Sequence, residues 1–239
     1  MAHIKIPQVD VDLWNKYKVK FTPHTDVNII VGINGSGKTT LLSEIEKTLP
    51  KGAHIYIPSI DNLITRDKRK KETALTQDLD SFIYDMKTGP SLMYYRMSML
   101  DAPIDKQAKV RERLAAFCDV VNSLFKDTGK QIEIEGNKFI INANGTLLTS
   151  NDLSSGEKLI LLLMLRVFLL DEKESVVLID EPENSLDISW QYKLIDILTC
   201  LNPNAQFFIT THSPSIFGNG WGNKIIYMED VTTKIDKDV

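Results

Sequence analysis

Cysteine is scarce in this 239-residue chain: Cys118 and Cys200 are the only two, far apart and in no metal-ligand spacing. That excludes a disulfide scaffold and predicts a reduced, cytoplasmic protein. Positive charge is not in excess either. The 28 Lys and Arg stand against 32 Asp and Glu, a formal net charge of −4. Dedicated nucleic-acid binders are usually basic, so this balance argues against one, although a local basic groove stays open. The start, Met1-Ala2-His3-Ile4-Lys5-Ile6-Pro7, lacks the basic-then-apolar order of a secretory leader. Long apolar runs are missing as well. The strongest, Leu159 to Leu170, is interrupted by Arg166 and falls short of the ~20 residues a spanning helix needs, so it predicts a buried helix and no membrane insertion. There is no internal repeat, low-complexity tract or sustained heptad array. What remains is a soluble globular composition, of a size for one large α/β domain or a core with a helical subdomain.

Hydrophobic periodicity gives the order of elements. His3 to Val9 and Tyr17 to Thr22 alternate as short strands, with the polar Asp10-Val11-Asp12 predicted as the turn between them. The apolar run Val27 to Val31 predicts a parallel strand covered on both faces. A helix from about Thr39 to Leu49 stops before Pro50 and Gly52, and a short strand Ala53 to Ile57 follows. Residues 62–126 read as two or three helices broken near Gly89-Pro90 and Ala102-Pro103. The clearest is Val110 to Phe125, with Val110, Leu114, Phe117, Val121 and Leu124 on one face. The cluster Arg66, Lys68, Arg69, Lys70, Lys71 reads as a solvated helix face. A β-ribbon, Gln131–Glu135 and Lys138–Asn142, turns at Gly136-Asn137. The last third alternates: helix Gly156–Leu170, strand Ser175–Ile179, helix Ile188–Leu201, strand Gln206–Thr210, strand Lys224–Met228. Such alternation predicts parallel pairing through right-handed crossovers.

Four motifs carry chemistry. Gly32-Ile33-Asn34-Gly35-Ser36-Gly37-Lys38-Thr39-Thr40 fits G-x-x-x-x-G-K-[ST] and sits between a predicted strand and a predicted helix. Its glycines let backbone N–H groups converge on a phosphate, and the helix start adds positive potential. Lys38 is expected to reach the β- and γ-phosphates and the Thr39 hydroxyl to bind Mg²⁺. Val176-Val177-Leu178-Ile179-Asp180-Glu181 is an apolar strand ending in two carboxylates at the sheet edge where α/β folds bind ligands. Asp180 is placed to hold Mg²⁺, and Glu181 to orient and deprotonate an attacking water. Leu153-Ser154-Ser155-Gly156-Glu157-Lys158 opens the apolar helix, and its small residues admit a phosphate closely; Ser is also an ordinary helix cap. Thr210-Thr211-His212-Ser213-Pro214 puts a histidine at a strand exit, within the scope of a γ-phosphate contact or of a structural role.

In this order the motifs resemble those of the ABC-type ATPases, over nearly the whole chain. Gly32–Thr39 matches the P-loop, Leu153–Glu157 the signature, Val176–Glu181 the Walker B strand, Ser185-Leu186-Asp187 the D-loop, and His212 the switch histidine. The resemblance implies an α/β fold: a P-loop NTPase core with a mostly parallel sheet, N-terminal antiparallel strands and an inserted helical subdomain. Residues 1–239 would form a single ABC-type domain, with 1–61 and 127–239 as the nucleotide core and 62–126 as the helical insert. It also implies ATP and Mg²⁺ as cofactors and a nucleotide-dependent homodimer with two ATP molecules sandwiched between protomers. Asn34, Gly35, Ser36, Gly37, Lys38, Thr39 and Thr40 would cradle the phosphates in one subunit, with Ser154 and Gly156 of the other acting in trans. Glu181 would be the general base, His212 the γ-phosphate sensor, and Asp187 a reporter across the interface.

There are departures. Ser155 stands where the signature usually has glycine, and no glutamine occurs in Ile57-Pro58-Ser59-Ile60-Asp61, where the family's Q-loop is expected. Trp14, Tyr17 and Phe21 are all candidates to stack on adenine. The stretch between Lys38 and Ser154 is too short for the coiled coil of SMC-like relatives. LSSGEK and the segment Glu181 to Gln191 look more like soluble bacterial ATPases of anti-phage defence operons, which act with a separate effector, often a nuclease. No further acidic cluster follows His212, so the effector is expected on another polypeptide. The alternatives are a membrane-transporter ATPase subunit and a nucleotide sensor with negligible turnover. Direct nucleic-acid binding is a secondary expectation.

Overall fold

The computed structural model describes residues 4–50, 52–59, 73–87, 89–100 and 102–235. The basic run Arg66–Lys71 and the Ile60-Asp61 end of the expected Q-loop lie outside the described residues. In chain order the elements begin β1 (Val9–Leu13), β2 (Tyr17–Phe21), β3 (Val27–Val31), α1 (Lys38–Thr48) and β4 (His54–Ile57). Then come α2 (Ala74–Tyr84), α3 (Leu92–Met97), α4 (Ile104–Phe125), β5 (Lys130–Glu135), β6 (Lys138–Ala143), β7 (Thr146–Leu148) and α5 (Ser155–Phe168). The chain closes with β8 (Ser175–Asp180), α6 (Ile188–Leu201), β9 (Ala205–Thr211), β10 (Ile225–Tyr227), α7 (Met228–Val231) and β11 (Thr232–Lys234). They fall into two compact units, Met1–Asn62 with Glu172–Val239, and Leu63–Asp171.

The first unit is built on a five-stranded sheet in the order β10-β3-β9-β8-β4, every pairing parallel. β8 and β9 are buried at every residue, which is why each has a continuous apolar centre, Val176–Ile179 and Phe207–Ile209, rather than an alternating pattern. The register is the feature that matters for function. Val31 lies opposite Thr211 and Asp180 opposite Thr210, so β3, β9 and β8 end level with one another. Whatever follows these strands is brought side by side.

A second sheet of this unit, β1-β2-β11, is antiparallel. Here the predicted turn at Asp10–Asp12 is wrong: those residues belong to β1. Val9 and Leu13 point into the core while Asp10 and Asp12 face solvent, and Asp10 pairs with Lys18 across the hairpin at 2.9 Å. The aspartates are the outward half of an alternating strand. The turn falls instead at Trp14 and Asn15, both at φ +53, closed by Lys16 N–H donating to Leu13 C=O at 3.0 Å. That is the left-handed geometry of a tight hairpin turn, unusual for tryptophan.

The second unit joins helices to a small antiparallel sheet, β5-β6-β7, whose third strand has no counterpart in the sequence reading. α4 buries Val110, Leu114, Phe117, Val121 and Leu124, the stripe its periodicity predicts. The expected helical insert, 62–126, is smaller than this unit, which continues to Asp171. The physical reason is the ribbon and α5. α4 packs along β5, with the Asn122 side chain accepting from Ile132 N–H at 2.6 Å and donating to Ile132 C=O at 3.1 Å. α5 is buried on nearly all sides and packs against α2 and α4. No helix among the described residues is long and apolar enough to cross a membrane.

Candidate functional site

The glycine-rich loop leaves β3 and enters α1 through two left-handed glycines, Gly35 at φ +81 and Gly37 at φ +93. Gly37 is required twice over. Besides its φ, a Cβ there would lie 2.9 Å from the Trp14 ring and 3.0 Å from Leu13. Lys38 is buried, and its Nζ donates to Gly32 C=O at 2.9 Å and Ile33 C=O at 3.3 Å. Its ammonium also lies 3.3 Å from Glu181 Oε1.

The ends of β8 and β9 complete the cluster. Thr39 Oγ1 donates to Asp180 Oδ2 at 2.8 Å, while Thr210 Oγ1 donates to Asp180 Oδ1 at 2.6 Å. Glu181 sits at φ +45, held by its own N–H donating to Thr210 C=O at 3.1 Å. A non-glycine residue in that region is strained, and strain of this kind concentrates at functional sites. His212 is half-exposed; its Nδ1 lies 3.1 Å from Glu183 Oε1 and 3.9 Å from Glu181 Oε1. Thus Lys38, Thr39, Asp180, Glu181 and His212, expected from separate motifs, come together at the level ends of three adjacent strands.

The residues present fit a magnesium-bound triphosphate. Asn34, Gly35, Thr39 and Thr40 line a cavity of about 330 Å³ that also takes in Lys38 and Glu181. The Ser36 hydroxyl is buried with no protein partner, inside the loop beside Gly32. Thr39 and Asp180 already present hard oxygen atoms to one point, the donor type Mg²⁺ prefers. Trp14 borders this cavity and a neighbouring one of about 560 Å³, which Tyr17 also lines; Phe21 lines neither. A further cavity, about 1110 Å³, lies in the second unit between α4 and the β5–β6 ribbon, with mixed charges and none of the motif residues.

Two residues gain a place that the sequence reading did not assign. Glu183 is buried, and its Oε1 accepts from His212 N–H at 2.9 Å. Gln191 donates to the carbonyls of Glu183 and Leu186 and accepts from the Ser213 hydroxyl at 2.8 Å, tying the acidic loop to the histidine segment. The Glu-Pro-Glu spacing was the available signal for the first; a buried glutamine on a helix gives none. Asp187 acts within the unit as the cap of α6, accepting from Ser189 N–H at 2.8 Å.

Ser154 and Gly156 belong to the second unit, at the start of α5. Ser154 is the helix cap: its Oγ accepts from Glu157 N–H at 3.2 Å, and Glu157 Oε2 accepts from Ser154 N–H at 2.7 Å.

A family model described as "AAA domain, putative AbiEii toxin, Type IV TA system" matches residues 43–218. Among curated proteins, the chain is 25% identical over 185 residues to the beta-(1-->2)glucan export ATP-binding/permease protein NdvA of Bartonella quintana (strain Toulouse). That match covers 77% of this chain and 27% of the relative. It is 38% identical over 88 residues to the Retron Ec83 probable ATPase of Escherichia coli, covering 32% of this chain and 16% of that protein. The chain therefore spans only about a quarter or less of the length of these relatives. Among solved structures, an SmcHead bound to the C-winged helix domain of ScpA superposes with a TM-score of 0.53 at 15% identity, over 92% of this chain and 96% of that one. That likeness is one of fold: a mixed α/β P-loop head.

Proposed function

The chain belongs to this AAA-domain family of ABC-type ATPases, and on that premise we propose that it binds ATP with Mg²⁺, dimerises around it, and hydrolyses it to gate a separate effector protein. The observation that carries this reading is the meeting of Lys38, Thr39, Asp180, Glu181 and His212 at the aligned ends of β3, β8 and β9. In the proposed cycle Lys38 exchanges its loop carbonyls for the β- and γ-phosphate oxygens. Thr39 and Asp180 hold Mg²⁺, which neutralises developing phosphate charge when bound. Freed from Lys38, the Glu181 carboxylate accepts a proton from the attacking water, and the products are ADP and phosphate. His212, steadied through its Nδ1 side by Glu183, presents its other ring nitrogen to the γ-phosphate. Ser154 and Gly156 of a second copy close over the same phosphate.

The retron-ATPase match supports a defence-type setting, with the effector, a nuclease in one form of this reading, on another chain. The match to an export ATP-binding/permease protein favours a second reading, an ATPase subunit for a membrane partner. A membrane protein co-purifying from native host extracts would establish the second over the first.

The test of the cycle is Glu181→Gln. With saturating ATP and Mg²⁺ this variant should elute as a stable dimer by light scattering, with hydrolysis reduced about 10²–10⁴-fold. A variant that stays monomeric under those conditions rules out the sandwich.

A further inference from the structure

The start of α5 carries a charge that the proposed reading does not explain. Its first turn holds Glu157, buried, with the carboxylate turned back to the helix cap. The segment leading in is braced by a second box of the same kind, in which Asp152 accepts from Thr149 N–H at 2.7 Å. Two consecutive boxes fix the entry to α5 firmly. They also put a full negative charge at the helix end where an anion is to dock, against the partial positive charge of the helix dipole.

Lys130, at the start of β5, answers that charge. Its Nζ donates to Glu157 Oε1 at 2.8 Å and to Oε2 at 2.9 Å. The glutamate side chain is 3% exposed and the lysine 17%. Burial alone would raise the Glu157 carboxyl, but the Lys130 and Ser154 hydrogen bonds overcome it and hold it below its ordinary value. The carboxylate is therefore charged and fully engaged, by Lys130 and by the backbone and side chain of Ser154.

We propose that Lys130 is a positioning residue for the trans nucleotide contact: by neutralising Glu157 it lets the capped start of α5 accept the γ-phosphate held by a second copy. This rests on the reading in which Ser154 and Gly156 act in trans. Lys130 touches no nucleotide itself. It allows a capping box, which fixes backbone geometry, to coexist with anion binding at the same helix end.

The experiment uses the full chain in the Glu181→Gln background and reads the ATP concentration at half-dimerisation by sedimentation. Lys130→Ala should raise that concentration at least about fivefold, the order expected when a charge-assisted contact near a helix end is lost. Lys130→Arg should keep it. Adding Glu157→Gln to Lys130→Ala should restore dimerisation, because the orphaned charge is gone while the amide oxygen still accepts from Ser154 N–H. ATP binding by the monomer, at protein concentrations below dimerisation, should stay unchanged and show that the first unit is folded. Should Lys130→Ala fail to fold, Glu157→Gln alone reads the same charge, and it should dimerise at no higher ATP than the parent. Unaltered dimerisation by a folded Lys130→Ala, no rescue by the double variant, or a several-fold loss in Glu157→Gln alone would each overturn the role of Lys130. If the Glu181→Gln parent never dimerises, the trans reading fails, and this inference with it.

Discussion

The two halves of the proposed site are held by different physics. In the first unit, Lys38, Asp180, Glu181 and His212 stand on backbone that the parallel sheet fixes, at the ends of three strands whose registers agree. In the second, Ser154 and Gly156 stand on a helix start fixed by side chains, two capping boxes and the Lys130–Glu157 pair. A site on strand ends tolerates changes of charge nearby, because its geometry is set by ladder hydrogen bonds. A site on a capped helix end depends on a few carboxylates staying charged and matched.

The sharpest way to break this comparison is to put the two halves on different chains. Lys38→Ala should abolish hydrolysis by removing the phosphate clamp, and Ser154→Arg should abolish it by obstructing the trans contact, each to background. Mixed in equal amounts, the two variants form some dimers in which an intact loop faces an intact helix start. ATPase activity should then return in the mixture, measured by phosphate release. A mixture as inactive as its components would mean that both halves serve the same chain.

The strand half was readable from the sequence, and the reason is local. Gly32–Thr40 and Val176–Glu181 each contain both the chemistry and the strand that carries it, so order along the chain stood in for proximity. The sheet then aligned the ends, which no single motif states. The hairpin was misread because Asp10 and Asp12 look like turn residues unless their partner strand is known; Lys18 and Lys20 opposite show them to be an outward face. The compact unit runs past the expected boundary at 126 for a related reason. The β-ribbon and α5 look like a return to the α/β core, yet their apolar faces pack with α2 and α4. The Lys130–Glu157 pair joins residues from separate elements, and nothing local announces it.

Trp14 sharpens the comparison from the side of the first unit. Its left-handed φ, its edge-on contact with Tyr17 at 6.3 Å between ring centroids, and its place against Gly37 make it the aromatic surface next to the phosphate loop. Trp14→Ala should weaken ATP binding by the monomer by about 1–3 kcal/mol, the usual worth of one base stacked on an aromatic ring. Tyr17→Leu should cost less, since Tyr17 lines only the neighbouring cavity. Fluorescence titration at low protein concentration measures both. Equal losses would make Tyr17 an equal partner in the stacking surface, and a larger loss at Tyr17 would put it in place of Trp14.

The smallest expected effect follows from acid. Glu157 in the second unit and Asp26 in the first are both held below their ordinary values. For each, burial pushes the carboxyl up, and the lysine's hydrogen bond and charge (Lys130 and Lys224 respectively) together with hydrogen bonds from Ser154 at Glu157 and from the Val27 and Asp26 backbone at Asp26 more than offset it. A carboxylate depressed in the folded state contributes stability that is present above its unfolded value and is lost as pH falls through the folded one. For Glu157 that loss begins below the ordinary 4.5. Asp26 has the same sign, but its side chain is 48% exposed, so water screens the Lys224 pair and the stabilisation is smaller. The second unit should therefore loosen first. The chain reports this without labels, because Trp14, Trp190 and Trp221 all lie in the first unit, while α2, α4 and α5 supply much of the helical signal from the second. Acidification from neutral pH should reduce far-UV circular dichroism before tryptophan emission shifts, and Glu157→Gln should narrow the gap by removing the titrating group. Coincident transitions in the parent chain would mean that the two halves share one stability, and the contrast between a strand-held and a side-chain-held site would not extend to how they unfold.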